Sequence, residues 1–515
     1  MNLRLAGLAL FSVSIGVLFA VPRWSASAHS VEDKKFSPSI PRTWDDKAMA
    51  ELEVPLADAS ASPKQVPADF YYQIPVRAIY KDYPVYAPGH EPPGYFDWLK
   101  NQEPVILWDD KGHAPPLATE ADWIKAGEIV FDSPIGEGGL SFIKPGGTLY
   151  VRNPDFYDKT KMPVAADGTV PFYRYVVRKK GEVAIGILGC AMCHTHVMPD
   201  GSVLKGAQGS FPFDRAFAYN YRQSDFLGAA RGLERFLYAA PWIQPDTRPG
   251  LMKMSIEDIA AVHERIPPGV LARHRASPLF PVQVPDLIGV KDRRYLDRTG
   301  LQQHHSIVDL MRYAALNQGG DDMASFGGFI PDGSPLPKPN FVGPRYSDEE
   351  LFALALYIYS LKPPPNPNKL TALSRRGEQV FKHENCAVCH TPPLYTNNKL
   401  TIAEGFTPPK DADEKYDLMP VSVGTDPDLT LKTRRGTGYY KVPSLKGVWY
   451  RSMFGHSGWC ATLDDWFDPR RVRDDYVPTG FMPAGQKTYA VKGHPFGLKL
   501  SQEDRTALIA FLKTL

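Results

Sequence analysis

The sequence predicts a mainly α-helical protein: two tandem units of one small helical fold, preceded by a loop-rich N-terminal extension. Three observations predict it. A cysteine-rich pentapeptide occurs twice, as Cys190-Ala191-Met192-Cys193-His194 and Cys386-Ala387-Val388-Cys389-His390. The surroundings of the two copies repeat as well, which is the mark of duplicated architecture. Between them, Lys362-Pro363-Pro364-Pro365-Asn366-Pro367-Asn368 cannot continue a helix and reads as a stiff linker.

The boundaries run in chain order. Residues 1–28 read as an export signal, with Arg4, an apolar stretch from Leu5 to Val21 and a small-residue cleavage site at Ala26-Ser27-Ala28. An uncleaved anchor is the alternative, although the stretch is at the short limit for spanning a bilayer. A periplasmic or secreted location is then expected, where paired thiols oxidise unless something else claims them. Residues 29–165 carry aromatic and proline clusters around Tyr71-Tyr72, Tyr80, Tyr83, Tyr86 and Tyr95, with one strand expected at Val105 to Trp108. They are expected to form an irregular extension whose aromatics pack in cores or, alternatively, line a substrate platform.

The two repeated units span residues 166–365 and 366–515. Gly181-Glu182 and Gly377-Glu378 each stand nine residues before the first motif cysteine and are expected to open a short helix that ends at the motif. The segment Val284-Pro285-Asp286-Leu287-Ile288-Gly289-Val290 is echoed by Val442-Pro443-Ser444-Leu445-Lys446-Gly447-Val448. The echo runs on to Gly300 and Gly458, with seven of seventeen aligned positions identical. Each unit closes with a helix that has a serine N-cap and an acidic first turn, at Ser347-Asp348-Glu349-Glu350 and Ser501-Gln502-Glu503-Asp504.

Cys-x-x-Cys-His is the attachment signature of c-type haem: two thiols form thioethers to one porphyrin, and the adjacent histidine ligates the iron. A thioredoxin-like pair wants a βαβ context, and a zinc site wants a paired ligand set. Two covalently bound haem c groups are therefore expected, on Cys190, Cys193 and His194 and on Cys386, Cys389 and His390. Cys460 is left over as a small buried hydrophobe. With 59 Lys+Arg against 57 Asp+Glu, the chain lacks the basic excess that nucleic-acid binding needs. Helix, haem, long loop and terminal helix is the order of a cytochrome c fold.

With these motifs, and with Phe454-Gly455-His456-Ser457-Gly458 and Thr462-Leu463-Asp464-Asp465, the chain from about residue 170 to 515 resembles the bacterial di-haem cytochrome c peroxidase superfamily, which includes the MauG enzyme. The wide motif spacing and the long extension are most similar to its rubber oxygenase branch. The resemblance implies a reactive first haem and a second haem that relays electrons from a small donor protein or a quinol-linked donor. Calcium between the domains is a further cofactor the resemblance allows, although no acidic loop demands it.

A sixth protein ligand closes a haem to chemistry, and an empty position opens it. For the second haem the candidates are Met419, His456, Met482 and His494. His494 is preferred, with Met482 next, because the resembled proteins ligate from a loop similarly placed before the terminal helix. For the first haem the matching position is near Asn340, and His196 is too close to His194 to reach around the ring. His263, His274, His304 and His305 remain, so an open distal face is expected. Where the resembled peroxidases carry an inter-haem Trp, this chain has Tyr295, either an electron relay or a structural residue. Where they place a proton-moving Glu, it has Leu316-Asn317-Gln318. Tyr295, Asn317 and Gln318 are thus the catalytic candidates. Three functions stay open: hydrogen peroxide reduction at the first haem, O₂-dependent cleavage of an apolar organic substrate, and electron carriage without catalysis.

Overall fold

The computed structural model describes residues 35–48, 68–137, 150–223, 254–272, 277–319, 344–433 and 436–515. The signal segment 1–28, His274 and Asn340 lie outside them. Among the described residues no helix is long and apolar enough to cross a membrane.

The elements that position the motifs are, in order, strand β1 (Asp82–Tyr86), helix α1 (Glu120–Asp132), β2 (Gly136–Glu137), β3 (Thr169–Lys179), β4 (Glu182–Ile187) and α2 (Cys190–Cys193). Helices α3 (Phe213–Gln223) and α4 (Ile256–Glu264) come next, then β5 (Tyr295–Leu296), β6 (Gln302–Gln303), α5 (Ile307–Gly319) and α6 (Asp348–Ser360). The last group is α7 (Ala372–His383), β7 (Leu400–Ile402), β8 (Leu418–Met419), β9 (Tyr439–Lys441) and α8 (Gln502–Leu512).

The expected mainly α class is corrected. Among the described residues 35% are helical and 14% are in strands, spread over several small sheets. The largest sheet is antiparallel, in the order β1-β3-β4-β2, and it joins the expected extension to the first unit. The reason is legible in β3: Thr169-Val170-Pro171-Phe172-Tyr173-Arg174-Tyr175-Val176-Val177 is dense in β-branched and aromatic residues, which fit a pleated surface better than a helix. Val170, Phe172, Tyr173, Tyr175, Val176 and Val177 are all buried, so both faces of β3 are covered. Val170, Phe172, Tyr173, Tyr175 and Val177 share one apolar cluster with Phe211, with Phe217 of α3 and with Ile259 and Ala260 of α4.

Gly181-Glu182 therefore opens no helix. Gly181 sits at φ 89° in the turn between β3 and β4, a conformation that glycine tolerates without steric cost. The helix that matches α7 is α1, at residues 120–132 of the segment expected to be irregular. A Thr119–Asp122 capping box starts it, and Ser133-Pro134 stops it. Its apolar positions Trp123, Ala126, Gly127, Val130 and Phe131 recur at helical spacing and face α6. The expected strand near Val105 is present as Ile106–Trp108, paired with Ile79–Tyr80.

The two helix crossings are near copies. In the first, a side chain on Gly127 would meet the Ala353 carbonyl oxygen at 2.0 Å and Tyr357 Cβ at 2.7 Å. In the second, one on Gly377 would meet the Ala507 carbonyl at 1.9 Å and Phe511 Cβ at 2.8 Å. Each glycine lets two backbones touch, and an aromatic one turn later seals the gap.

Candidate functional site

Each motif begins where a crossing helix ends. After α7, Asn385 takes a left-handed turn at φ 56° and starts the short 3₁₀ turn Cys386–Val388 at once. After α1, the chain makes an excursion and returns. Ile135 donates to Ile187 O (3.0 Å), β2 pairs with β4, and a side chain on Gly189 would strike Ser133 O at 2.6 Å. Cys190 thus starts α2 beside the end of α1, as Cys386 follows α7.

Both motif histidines are held alike. His194 N–H donates to Cys190 O (2.9 Å) and its Nδ1 to Pro285 O (3.0 Å). His390 N–H donates to Cys386 O (2.8 Å), and its Nδ1 faces Pro443 O and Tyr395 O, both at 3.2 Å. A carbonyl on Nδ1 fixes the tautomer and frees Nε2 as a ligand, the usual support for a metal-binding imidazole. Pro285 and Pro443 are the prolines of the repeated Val-Pro segment, so the echo seen in sequence is the proximal support of each motif. Burial pushes both imidazoles down, His194 to about 4, so both are neutral at pH 7 as ligation requires. None of the five cysteines is in a disulfide.

Opposite His390 stands His494. Their ring centres are 6.4 Å apart, and the rings are inclined by 56°. A metal–nitrogen bond of about 2.0–2.1 Å, plus about 1.1 Å from nitrogen to ring centre, separates two axial imidazoles by about 6.3 Å. The spacing of the pair leaves room for one metal ion between the rings. Burial first, then His390 and Arg471, push the His494 imidazole down to about 3, and its Nδ1 is buried without a hydrogen-bond partner.

His494 is held there by force of backbone. Its φ is 44°, and its N–H donates to Val423 O (2.7 Å). Arg471, fully buried, donates Nη2 to the carbonyls of Gly493 (3.0 Å) and His494 (2.9 Å) and Nη1 to Val491 O. Gly493 at φ 82° lies so close to Gly424 and Thr425 that any Cβ would overlap their backbone.

Of the other ligand candidates, Met419 and His456 have partners of their own. Met419 Sδ lies 3.8 Å from Cys389 Sγ and accepts from Asn397 Nδ2 (3.0 Å), against a motif thiol. Met482 is half-buried next to Phe481, which packs with Trp459 and Val491. His456 is stacked on Tyr440 at 4.2 Å, with Nε2 3.2 Å from the Tyr440 hydroxyl.

Around the first motif, His196 Nδ1 bonds Gln208 O (2.9 Å), and His263 pairs with buried Asp214 (2.6 Å). His304 bridges Arg293 O and the Tyr359 hydroxyl, and His305 meets Arg294. Asn317 and Gln318 fall in the last turn of α5, and their side chains lie outside the described residues. Beside Met192 is an aromatic cavity lined by Tyr150, Tyr173, Leu188, Phe211, Phe217 and Tyr221.

Tyr295 links the two units. It is buried in β5, its hydroxyl accepts from Asp417 N–H (2.8 Å) in the second unit, and its carbonyl accepts from Lys441 Nζ (3.1 Å). Burial raises the phenol to about 12. Sequence reasoning missed Arg471 and α1. Arg471 reads as one more charge in an arginine-rich stretch, and α1 lies far upstream of Cys190, although its capping box was there to be found.

No family model matches the chain, and no curated protein matches it. Among solved structures, it is similar to the hydrazine synthase of Kuenenia stuttgartiensis pressurised with xenon, at 17% identity, over 57% of this chain and 88% of that one, with a TM-score of 0.29. It is similar in the same degree to a MauG-like protein associated with microbial copper homeostasis: 16% identity, 57% and 88% coverage, TM-score 0.28. TM-scores this low carry no weight for the activity of the chain.

Proposed function

We propose that this chain is an exported c-type redox enzyme with two covalently held haems, closed at the second motif and reactive at the first. The observation that carries the reading is the repeated motif geometry: two Cys-x-x-Cys-His turns, each with its histidine Nδ1 on a proline carbonyl, and at the second an opposing imidazole 6.4 Å away. Haem iron so held supplies one-electron exchange and, on a face without a protein ligand, a binding position for peroxide or O₂.

The chain's own residues divide that work. Arg471 and Gly493 fix His494 so that the second site changes little in shape between redox states, which suits a relay. Tyr295, hydrogen-bonded across the unit boundary, is the side chain through which an electron passes toward the first site. Reduction of hydrogen peroxide there, with electrons from a small donor protein or a quinol-linked donor, is the leading reaction. The aromatic side chains beside Met192 give the first motif an apolar surround, which favours a second reading, in which an apolar organic molecule is oxidised with O₂.

The test is ligand counting on the purified, matured protein. Two haems per chain, with CO binding one of them in the reduced state, is the expected result. CO binding neither or both haems would sink the division of roles. Turnover with peroxide and a reduced donor supports the first reaction, and a stable ferrous O₂ adduct supports the second.

A further inference from the structure

The loop that carries His494, residues 489–494, is joined at both ends to a second loop, residues 423–428. At one end His494 N–H donates to Val423 O (2.7 Å), and Gly493 has no room for a side chain against Gly424 and Thr425. At the other end the Tyr489 hydroxyl donates to Asp426 Oδ2. The same aspartate fixes the second loop. Its Oδ1 accepts from Asp428 N–H (2.7 Å), and its carbonyl accepts from the Tyr440 hydroxyl (2.7 Å). One residue thus joins the His494 loop, its own loop and strand β9.

Asp426 is half-buried, and the bonds to its carboxylate are of the charge-assisted kind, roughly twice as strong as neutral ones. Arg471, on the carbonyls of Val491, Gly493 and His494, sets the curl of the loop. Asp426 ties that curl to β9. Tyr440 carries the connection on to the first unit. Its ring is stacked on His456 (4.2 Å, 18°), and His456 O accepts from Gln283 N–H (2.8 Å), two residues before the proline whose carbonyl holds His194.

We infer that Asp426 is a positioning residue for His494: by holding Tyr489 and Tyr440 together it keeps the imidazole seated opposite His390 and ties closure of the second site to the boundary between the units. The inference rests on the two-haem reading above, since it concerns an axial ligand. Releasing Tyr489 frees one end of the loop, while the Val423 bond and Arg471 keep the other. A loop held at one end has an open arrangement within reach, so closure becomes an equilibrium, and the ligand detaches more easily without being lost.

CO titration of the reduced, matured protein, with electron paramagnetic resonance of the oxidised form, tests this. Tyr489→Phe removes only the hydroxyl and keeps the ring stacked on Trp459 (6.4 Å, 29°). It should lower the CO concentration needed to open the second haem by about tenfold, the worth of one charge-assisted bond, and should shift the low-spin signal of that haem alone. Asp426→Ala should do at least as much, and Asp426→Asn, which still offers an oxygen to the Tyr489 hydroxyl, should restore the closed site. Tyr440→Phe should give a smaller change of the same sign. In a His494→Ala background Tyr489→Phe should add nothing, because both act through one ligand. Two haems with an unmoved CO titration and low-spin signal in Tyr489→Phe would overturn the inference and leave the two-haem reading intact, whether or not Asp426→Ala folds. Equal changes at both haems would also overturn it, since they would mean a general loosening. Absence of covalent haem in the wild-type protein would overturn both.

Discussion

The two units differ most in what lies between crossing helix and motif, and least in the crossing itself. In the second unit α7 runs through Glu384 and Asn385 straight into Cys386. In the first, residues 133–189 intervene, and they carry β2, β3 and β4, the body of the largest sheet. The excursion leaves and returns at one point, the Ile135–Ile187 hydrogen bond beside Gly189 and Ser133. A fold tolerates such an insertion because ends that are already paired cost the parent architecture nothing. The difference also separates surroundings: aromatic residues from the sheet side wall a cavity at the first motif, whereas a clamped loop turns His494 toward the second.

Removing the thiols gives the largest expected effect. Cys386→Ala with Cys389→Ala should halve the haem content measured as pyridine haemochrome, and Cys190→Ala with Cys193→Ala should do the same. Unequal losses would show that one motif carries no haem. His494→Ala comes next. It should retain both haems, convert the second to a high-spin or exogenously ligated form, and raise the CO count from one to two per chain. Met482→Ala should leave the spectrum as it is, and the reverse pattern would move the ligand to that loop.

Packing tests the likeness of the crossings. Gly127→Ala and Gly377→Ala should each destabilise the fold by about 1–3 kcal/mol in thermal or denaturant unfolding, because the new methyl overlaps a carbonyl and overpacking outweighs the gain in helix propensity. A much smaller cost at one site would show that its crossing is the looser.

The N-caps of the closing helices differ in burial. Glu350, fully buried in the Ser347 capping box, is raised from 4.5 to about 7 by desolvation, and its Oε1 is unpartnered. Its equivalent Asp504 is partly exposed and paired with Arg376 at 2.8 Å. Because the folded-state value lies above the unfolded one, the folded protein prefers the protonated acid. The penalty is absent below pH 4.5, grows between 4.5 and 7 and is complete above 7, about 3 kcal/mol at most. Glu350→Gln should therefore raise the melting temperature at pH 8 but not at pH 4.5. Tyr295→Phe is the mildest change. It keeps the ring, removes the bond from Asp417 N–H, and should slow electron equilibration between the haems in flash photolysis without altering either spectrum.

The two Cys-x-x-Cys-His motifs, the Val-Pro echo and the capped closing helices were all legible in the sequence, because each is a local pattern with a local cause. A pentapeptide carries its own chemistry, and a serine caps the helix it begins. His494 was legible only as one of four candidates, since chain order says which loop precedes a helix and not which side chain on it faces a ring. The first unit's opening helix was misread, because Gly181-Glu182 matches Gly377-Glu378 in spacing while the residues around it favour strand.

By itself, the sequence determined that two Cys-x-x-Cys-His pentapeptides stand in a duplicated frame, since a motif of fixed spacing is a local pattern. Tertiary structure decided which helix opens the first unit, that Arg471 aims His494 at His390, and that Asp426 meets both Tyr440 and Tyr489. Those are relations between residues far apart in the chain, and only the closing of each helix on its glycine partner brings them within reach.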